Sequence, residues 1–421
     1  MNDKEIQRLR RELDTSAHRT MTRRDLLRRM GIGAGALSVS AFLAACGIGG
    51  EAERNASGEN EGLTTTEKTG ELNFANWIAY IDRKGGESPT LEQFQDETGI
   101  TVNYKTVIND NASFFGQIRE PLAAGKSTGW DIIVVTDWLV AKMIRLGYLE
   151  ELDHSKIPNF RANAGEIYQD PSYDPDNAHS VPWASGITGI AYNESLTGRE
   201  ITSVQDLFDP EFAGKVGMML EMRDTMSLVL LGEGVIPTEA TMEDVEAAQE
   251  KLLQQREDGI VRKYYGNDYV QPLAQGDLAL TMAWSGDVLG KTLDNPDIKF
   301  VVPEEGGILW VDNMCIPQNA EHPVDAMMMM DFVYQPEIAA QMTAWINYIC
   351  PVPAAQEIIR QHAQEAADGG DQETADYLTS VAESPLVFPT EEMLGRLHSY
   401  KVLSEEEEQQ WNDLFAEVVT G

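Results

Sequence analysis

The chain has 421 residues with 32 Lys and Arg against 69 Asp and Glu, a formal charge of −37. Nucleic-acid surfaces need clustered cations to meet phosphate, so that class is excluded. Hydrophobic residues make up 42%, which over this length supplies two cores and makes two domains the expected arrangement.

Residues 1–20 form a charged lead, and Met21 offers an alternative start that would give a more ordinary signal. Arg23 and Arg24 precede a glycine-rich apolar run from Met30 to Phe42, too short to span a bilayer permanently. The pattern reads as a twin-arginine export signal, because the run has no charged face to serve as a buried amphipathic helix. Leu43-Ala44-Ala45-Cys46 resembles the bacterial lipobox, so Cys46 is the expected lipidated first residue of the mature chain. The expected location is the outer face of the bacterial cytoplasmic membrane, with the lipid as the membrane link. Gly31, Gly33 and Ala36 imitate a dinucleotide-binding glycine pattern, but no strand precedes them. Residues 1–45 hold nine of the basic and five of the acidic side chains, so the remainder carries −41. Such a charge keeps a body dispersed and draws cations, or reflects a salty habitat. Residues 46–70 read as the lipidated cysteine followed by a flexible Gly-, Glu-, Asn- and Thr-rich tether.

Globular sequence begins at Glu71. Strands are predicted over 72–77, 101–107 and 131–135, and helices from the Ser88-Pro89 cap to Gly99, over 113–124 and over 137–146. This β-α alternation implies a largely parallel sheet covered on both faces. A polar, Pro-rich stretch over 153–177 shows no periodicity. A second alternation follows, with strands over 186–192, 216–220, 278–284 and 298–302 and helices over 241–255 and 271–275. Helices are predicted over 337–344 and 374–382, and the Met327–Met330 run reads as core. Two α/β units in one exported, tethered chain suggest a bilobal binding protein, with ligand at the carboxyl ends of the strands.

Catalytic motifs are missing. Gly125-Lys126-Ser127 imitates the end of a phosphate loop, but Glu120 stands where the motif needs glycine. The six histidines are scattered without metal-ligand spacing, so neither metal nor cofactor is expected. What remains is aromatic residues beside acids at strand ends: Asn76-Trp77 through Tyr80, Thr136-Asp137-Trp138, Glu221 through Asp224, Trp284 through Asp287, and Trp310-Val311-Asp312. Singly, each tryptophan reads as core. Together they suit an alkyl ammonium, held by aromatic faces along its chain and by carboxylates at its ends.

At these residues the chain resembles the spermidine/putrescine-binding proteins, the extracytoplasmic receptors of polyamine ABC importers. The marks are Asn76-Trp77…Tyr80, Trp130 to Val134, Glu304 to Asp312 and Tyr348…Pro351. The resemblance implies an α/β, periplasmic-binding-protein-like clamshell, two sheet-plus-helix lobes joined by a hinge that the chain crosses more than once. It implies lobes of 71–185 plus 312–355 and 186–311 plus 356–421. Trp77, Tyr80, Trp284, Trp310 and Tyr348 become aromatic walls, and Thr136 and Trp138 fall where the family has a hydroxyl and a ring. Asp312 corresponds to the carboxylate for one amine, Glu221 and Asp224 to the acidic pair of spermidine binders, and Asp287 to an acid of putrescine-type receptors. Ala79 departs from the pattern, since many relatives are acidic there, and Arg223 offers Asp224 a competing partner. The implied partners are a polyamine and an ABC permease in the membrane, and the implied state is a monomer.

Two rivals stand beside this reading. An amino acid, opine or aminophosphonate would need a cation in the cleft, for which Arg223 is the candidate. An exported hydrolase with a distant carboxylate pair would turn over a chromogenic glycoside or ester. Cys315 and Cys350 form an even pair in an oxidising compartment, either a disulfide or two buried thiols.

Overall fold

The structure, a computed structural model, describes residues 67–420. The expected export signal, Cys46 and all but the last residues of the tether lie outside the described residues. The first lobe is built from β1 (Glu71–Trp77), α1 (Pro89–Thr98), β2 (Thr101–Ile108), α2 (Asn111–Ala123), β3 (Ile132–Thr136) and α3 (Asp137–Arg145). Local chemistry sets these bounds. The Ser88 hydroxyl accepts from the Leu91 amide, Pro89 occupies the first turn, and Gly99 closes α1 at φ 67°, a conformation that favours glycine. β1 pairs in parallel with both β2 and β3, as alternating strands and helices require.

The 14-residue β4 (Ser180–Asn193) is buried throughout its length. In the second lobe follow β5 (Val216–Met219), α4 (Met222–Gly232), α5 (Met242–Glu257), β6 (Val261–Tyr265), β7 (Leu280–Trp284), α6 (Ser285–Asp294) and β8 (Ile298–Val301). β9 (Gly307–Cys315) then returns to the first lobe. Its Asp312–Cys315 half lies antiparallel to β3, and the whole strand lies antiparallel to β4. The later half of β4 pairs with β7 and β8. The sheet order β2-β1-β3-β9-β4-β7-β5-β6 therefore runs through both lobes, with β4 and β9 as the shared strands. A third crossing is fixed by reciprocal backbone hydrogen bonds between Ser185 and Ile349 (2.8 and 3.1 Å). The result is an α/β clamshell.

The C-terminal third contains α7 (Pro323–Phe332), α8 (Pro336–Ile346), α9 (Ala355–Asp368), α10 (Gln372–Glu383), β10 (Leu397–His398) and α11 (Glu405–Thr420). Met327, Met329 and Met330 are fully buried on α7. The stretch expected as one piece of the second lobe, 356–421, divides its contacts. α9 packs on α8, and Tyr377 of α10 donates to the Ala344 carbonyl (2.6 Å), whereas α11 packs on α4 and α5.

Cys315 and Cys350, the two cysteines among the described residues, are not paired, which corrects the disulfide alternative. Cys315 ends β9 in the core against α2 and α3, while Cys350 follows α8 in a different core cluster. Each thiol faces a nearby backbone carbonyl instead, Asn313 at 3.9 Å and Val352 at 3.3 Å. Burial pushes Cys350 up to about 11 and Cys315 well above the usual thiol value, so both are inert at neutral pH.

Candidate ligand cleft

Between the lobes lies a cleft of about 2220 Å³, at the carboxyl ends of β1, β3, β5 and β7. Parallel strands all deliver their last residues to the same edge, which explains how residues far apart in sequence meet there. Trp77, Tyr80, Thr136 and Trp138 line it from the first lobe, and Glu221, Asp224, Trp284 and Asp287 from the second. Trp310, Asp312 and Tyr348 line it from the crossing segments.

Five aromatic residues form one connected series. Tyr80 meets Tyr348 edge-on (centroids 5.3 Å), Tyr348 meets Trp310 (5.6 Å), Trp310 meets Trp284 (6.3 Å) and Trp284 meets Tyr269 (6.2 Å). Two indole N–H groups are tied back to the frame. The Trp77 indole N–H donates to the Val134 carbonyl (3.0 Å) and that of Trp310 to the Thr188 hydroxyl (3.1 Å), leaving ring faces for contact. Glycine makes room. A Cβ at Gly186 would stand 2.2 Å from the Trp310 ring, and one at Gly286 would stand 2.5 Å from Tyr348. Gly186→Ala should displace the Trp310 indole and cost about 1–3 kcal/mol of stability. Tryptophan emission and a thermal melt read this, and an unshifted spectrum with an unshifted melt would refute it.

Each of the three aspartates is held by hydroxyls. Asp312 stands opposite Thr136 in the β3–β9 register and accepts from its hydroxyl (2.6 Å), which itself accepts from the Asn111 amide (2.8 Å). The Tyr80 hydroxyl lies buried beside Asp312 but falls short of hydrogen-bond geometry. Asp224, in the first turn of α4, accepts from Thr188 and from the Tyr400 hydroxyl (2.8 Å). Asp287, in the first turn of α6, accepts from Tyr348 and Tyr269, each at 2.8 Å. Burial pushes Asp312 and Asp224 up to about 6, against the pull of these hydroxyls, and Asp224 raises Asp312 further. Asp287 is raised for the same first reason. Burial and the Asp224 charge push Glu221 up to about 8, although its side chain keeps a face open to the cleft, where water works against that push.

Arg223 does not bond Asp224. Its guanidinium lies 4.4 Å above the Trp138 ring, donates to the Lys401 carbonyl (3.3 Å) and stands 3.6 Å from Glu408. Thr188, Tyr269, Tyr400 and Asn111 were not foreseen. Thr188 was within sight, inside a predicted strand, but Tyr400 arrives from a distant segment that carries no local signal. Among the described residues, no group of His, Cys, Asp or Glu could hold a metal ion.

Two α/β lobes sharing strands, with an aromatic and acidic cleft between them, define a solute-binding protein of the periplasmic type. The model for the bacterial extracellular solute-binding proteins matches residues 90–369, and the chain belongs to that family. Over 289 residues it is 29% identical to the spermidine/putrescine-binding periplasmic protein of Salmonella typhimurium, covering 68% of this chain and 79% of that one. To the putrescine-binding periplasmic protein PotF of Escherichia coli it is 25% identical over 359 residues, 81% of this chain and 88% of that one. A spermidine/putrescine ABC transporter substrate-binding protein from Streptococcus pneumoniae superposes with TM-score 0.67 at 26% identity, covering 83% and 98% of the two chains. The TpPotD lipoprotein of Treponema pallidum shares the fold at TM-score 0.67 and 20% identity, over 83% and 99%. Membership in a family of binding proteins sets the hydrolase reading aside; this is not an enzyme.

Proposed function

We propose that the protein captures a polyamine, putrescine or spermidine, in this cleft and presents it to an ABC permease. Lipidated Cys46, reached by twin-arginine export, would hold it at the outer face of the membrane. The observation that carries the reading is three carboxylates, the buried Asp224 and Asp312 and the half-buried Asp287, held by hydroxyl donors around a series of aromatic rings. Buried acids without a countercharge are costly, and an ammonium supplies that charge while its methylenes cover the rings. Trp77, Tyr80, Trp284, Trp310 and Tyr348 are the proposed walls, and Glu221 extends the acidic series toward a further amine. Lobe closure would hinge about 186–190 and 312–315, where the shared strands pass between lobes. Arg223, the cation beside these acids, is committed to Trp138 and Glu408, so an amino acid, opine or aminophosphonate would have to find its cationic partner elsewhere in the cleft.

The test is isothermal titration of the chain from Glu71 onward with putrescine, spermidine, spermine and glutamate at low and high salt. A diamine or triamine should bind at one site and keep its affinity in high salt, because a desolvated cleft is poorly screened. Loss of binding in salt would mean that polyamines merely coat the acidic surface, and preference for glutamate would overturn the reading.

A further inference from the structure

The segment 397–408 touches both lobes. β10 pairs with β9 at Gly307 and Ile308, and Tyr400 reaches Asp224 in the cleft. Beyond it, Arg145 of α3, in the first lobe, donates to the Leu403 carbonyl (3.3 Å). At the start of α11, Glu408 Oε1 lies 3.3 Å from Lys142 of α3 and 3.6 Å from Arg223 of α4. One carboxylate oxygen thus stands between a cation from each lobe, at a junction where the side chains of Glu408 and Arg223 keep 12% and 5% of their exposure. Trp138 of the first lobe completes the junction by lying under the Arg223 guanidinium.

We propose that residues 397–408 form a strap that latches the two lobes together, with Glu408 as the bridging anion and Tyr400 tying the strap to the acid Asp224. The latch follows from charge. With Glu408 in place, Lys142 and Arg223 share a countercharge, and closure brings three charges into a favourable set. Without it, two cations from opposite lobes face one another in a confined space, and opening is the way to separate them. Trp138 then serves the closed state by stacking on Arg223 instead of forming a wall for ligand. The connection to occupancy rests on the polyamine reading, since it passes through Asp224; the latch itself does not.

The first measurement is small-angle X-ray scattering of the ligand-free, full-length chain and its Glu408→Gln variant. The variant should show a larger radius of gyration with an unchanged far-ultraviolet dichroism spectrum. Lys142→Gln should expand the molecule too, because it removes the first-lobe end of the bridge and leaves α11 on its own lobe undisturbed. Expansion in Glu408→Gln alone would trace to a loosened α11 and overturn the latch, as would no expansion in either. Stopped-flow tryptophan emission then follows putrescine release, which should be roughly tenfold faster in both variants. Unchanged release from expanded variants would overturn the link through Tyr400. Failure of the parent chain to bind putrescine would strike the proposed function, while scattering would still decide the latch.

Discussion

Asp312→Asn should weaken putrescine binding by roughly 30- to 1000-fold and, at the same time, stabilise the ligand-free protein above pH 6. The two effects have one origin. Asp312 is 5% exposed, its Thr136 partner is a neutral hydroxyl, and burial holds its carboxyl at about 6. An asparagine keeps the shape and the acceptor for Thr136 but not the charge, so an ammonium loses its charge-assisted bond, worth about 2–4 kcal/mol in a desolvated site. The stability term has the opposite sign. A carboxyl at about 6 in the folded chain, against 3.8 when unperturbed, binds more protons folded than unfolded between pH 4 and 6. Stability therefore falls as pH rises through that window, by up to about 3 kcal/mol at about 1.4 kcal/mol per pKa unit. The variant has no such loss. Its melting temperature should match the parent's near pH 4 and exceed it from pH 6 upward, while titration shows the affinity loss. Binding that is lost together with stability at pH 7 would mean that Asp312 is a structural acid.

Much of the first lobe could be read along the chain. Ser88-Pro89 and Gly99 bracket α1 chemically, and short apolar runs between helices define β1 and β3. The candidate site was legible because parallel strands end on one edge, so aromatic–acid pairs at successive strand ends must gather there. What escaped has physical reasons. Met222 through Leu231 of α4 is buried on every side, so no amphipathic period marks it as a helix. β9 carries Trp310 and Asp312 within a strand shared by both lobes, and a strand buried between two neighbours carries no alternation to reveal its partners. Tyr400 and Glu408 lie in a charged segment whose return to the cleft is a matter of long-range packing. Parity of cysteine number suggested a pair, but parity carries no distance, and the two thiols belong to separate core clusters.

The pH dependence of binding distinguishes how far the ligand reaches along the acids. An isolated amine of the lysine type titrates near 10.4, and repulsion between neighbouring ammoniums lowers the later steps, so a polyamine is fully charged only toward neutral and acid pH, where the protein alone sets the slope. Ligand ammonium favours ionised carboxyls and lowers their pKa on binding, so protons leave and affinity rises with pH. A diamine spanning Asp312 and Asp224, both at about 6, should release little at pH 7 and approach two protons near pH 5. Affinity would then fall steeply, toward 100-fold per unit, only below pH 6. A triamine that also engages Glu221, at about 8, should release close to one further proton at pH 7. Titrations in two buffers of different ionisation enthalpy give the proton count directly, with putrescine and spermidine compared at pH 5, 6 and 7. Equal counts for both ligands at pH 7 would remove Glu221 from the site. An affinity that rises on acidification would contradict recognition of ammonium by these carboxylates altogether.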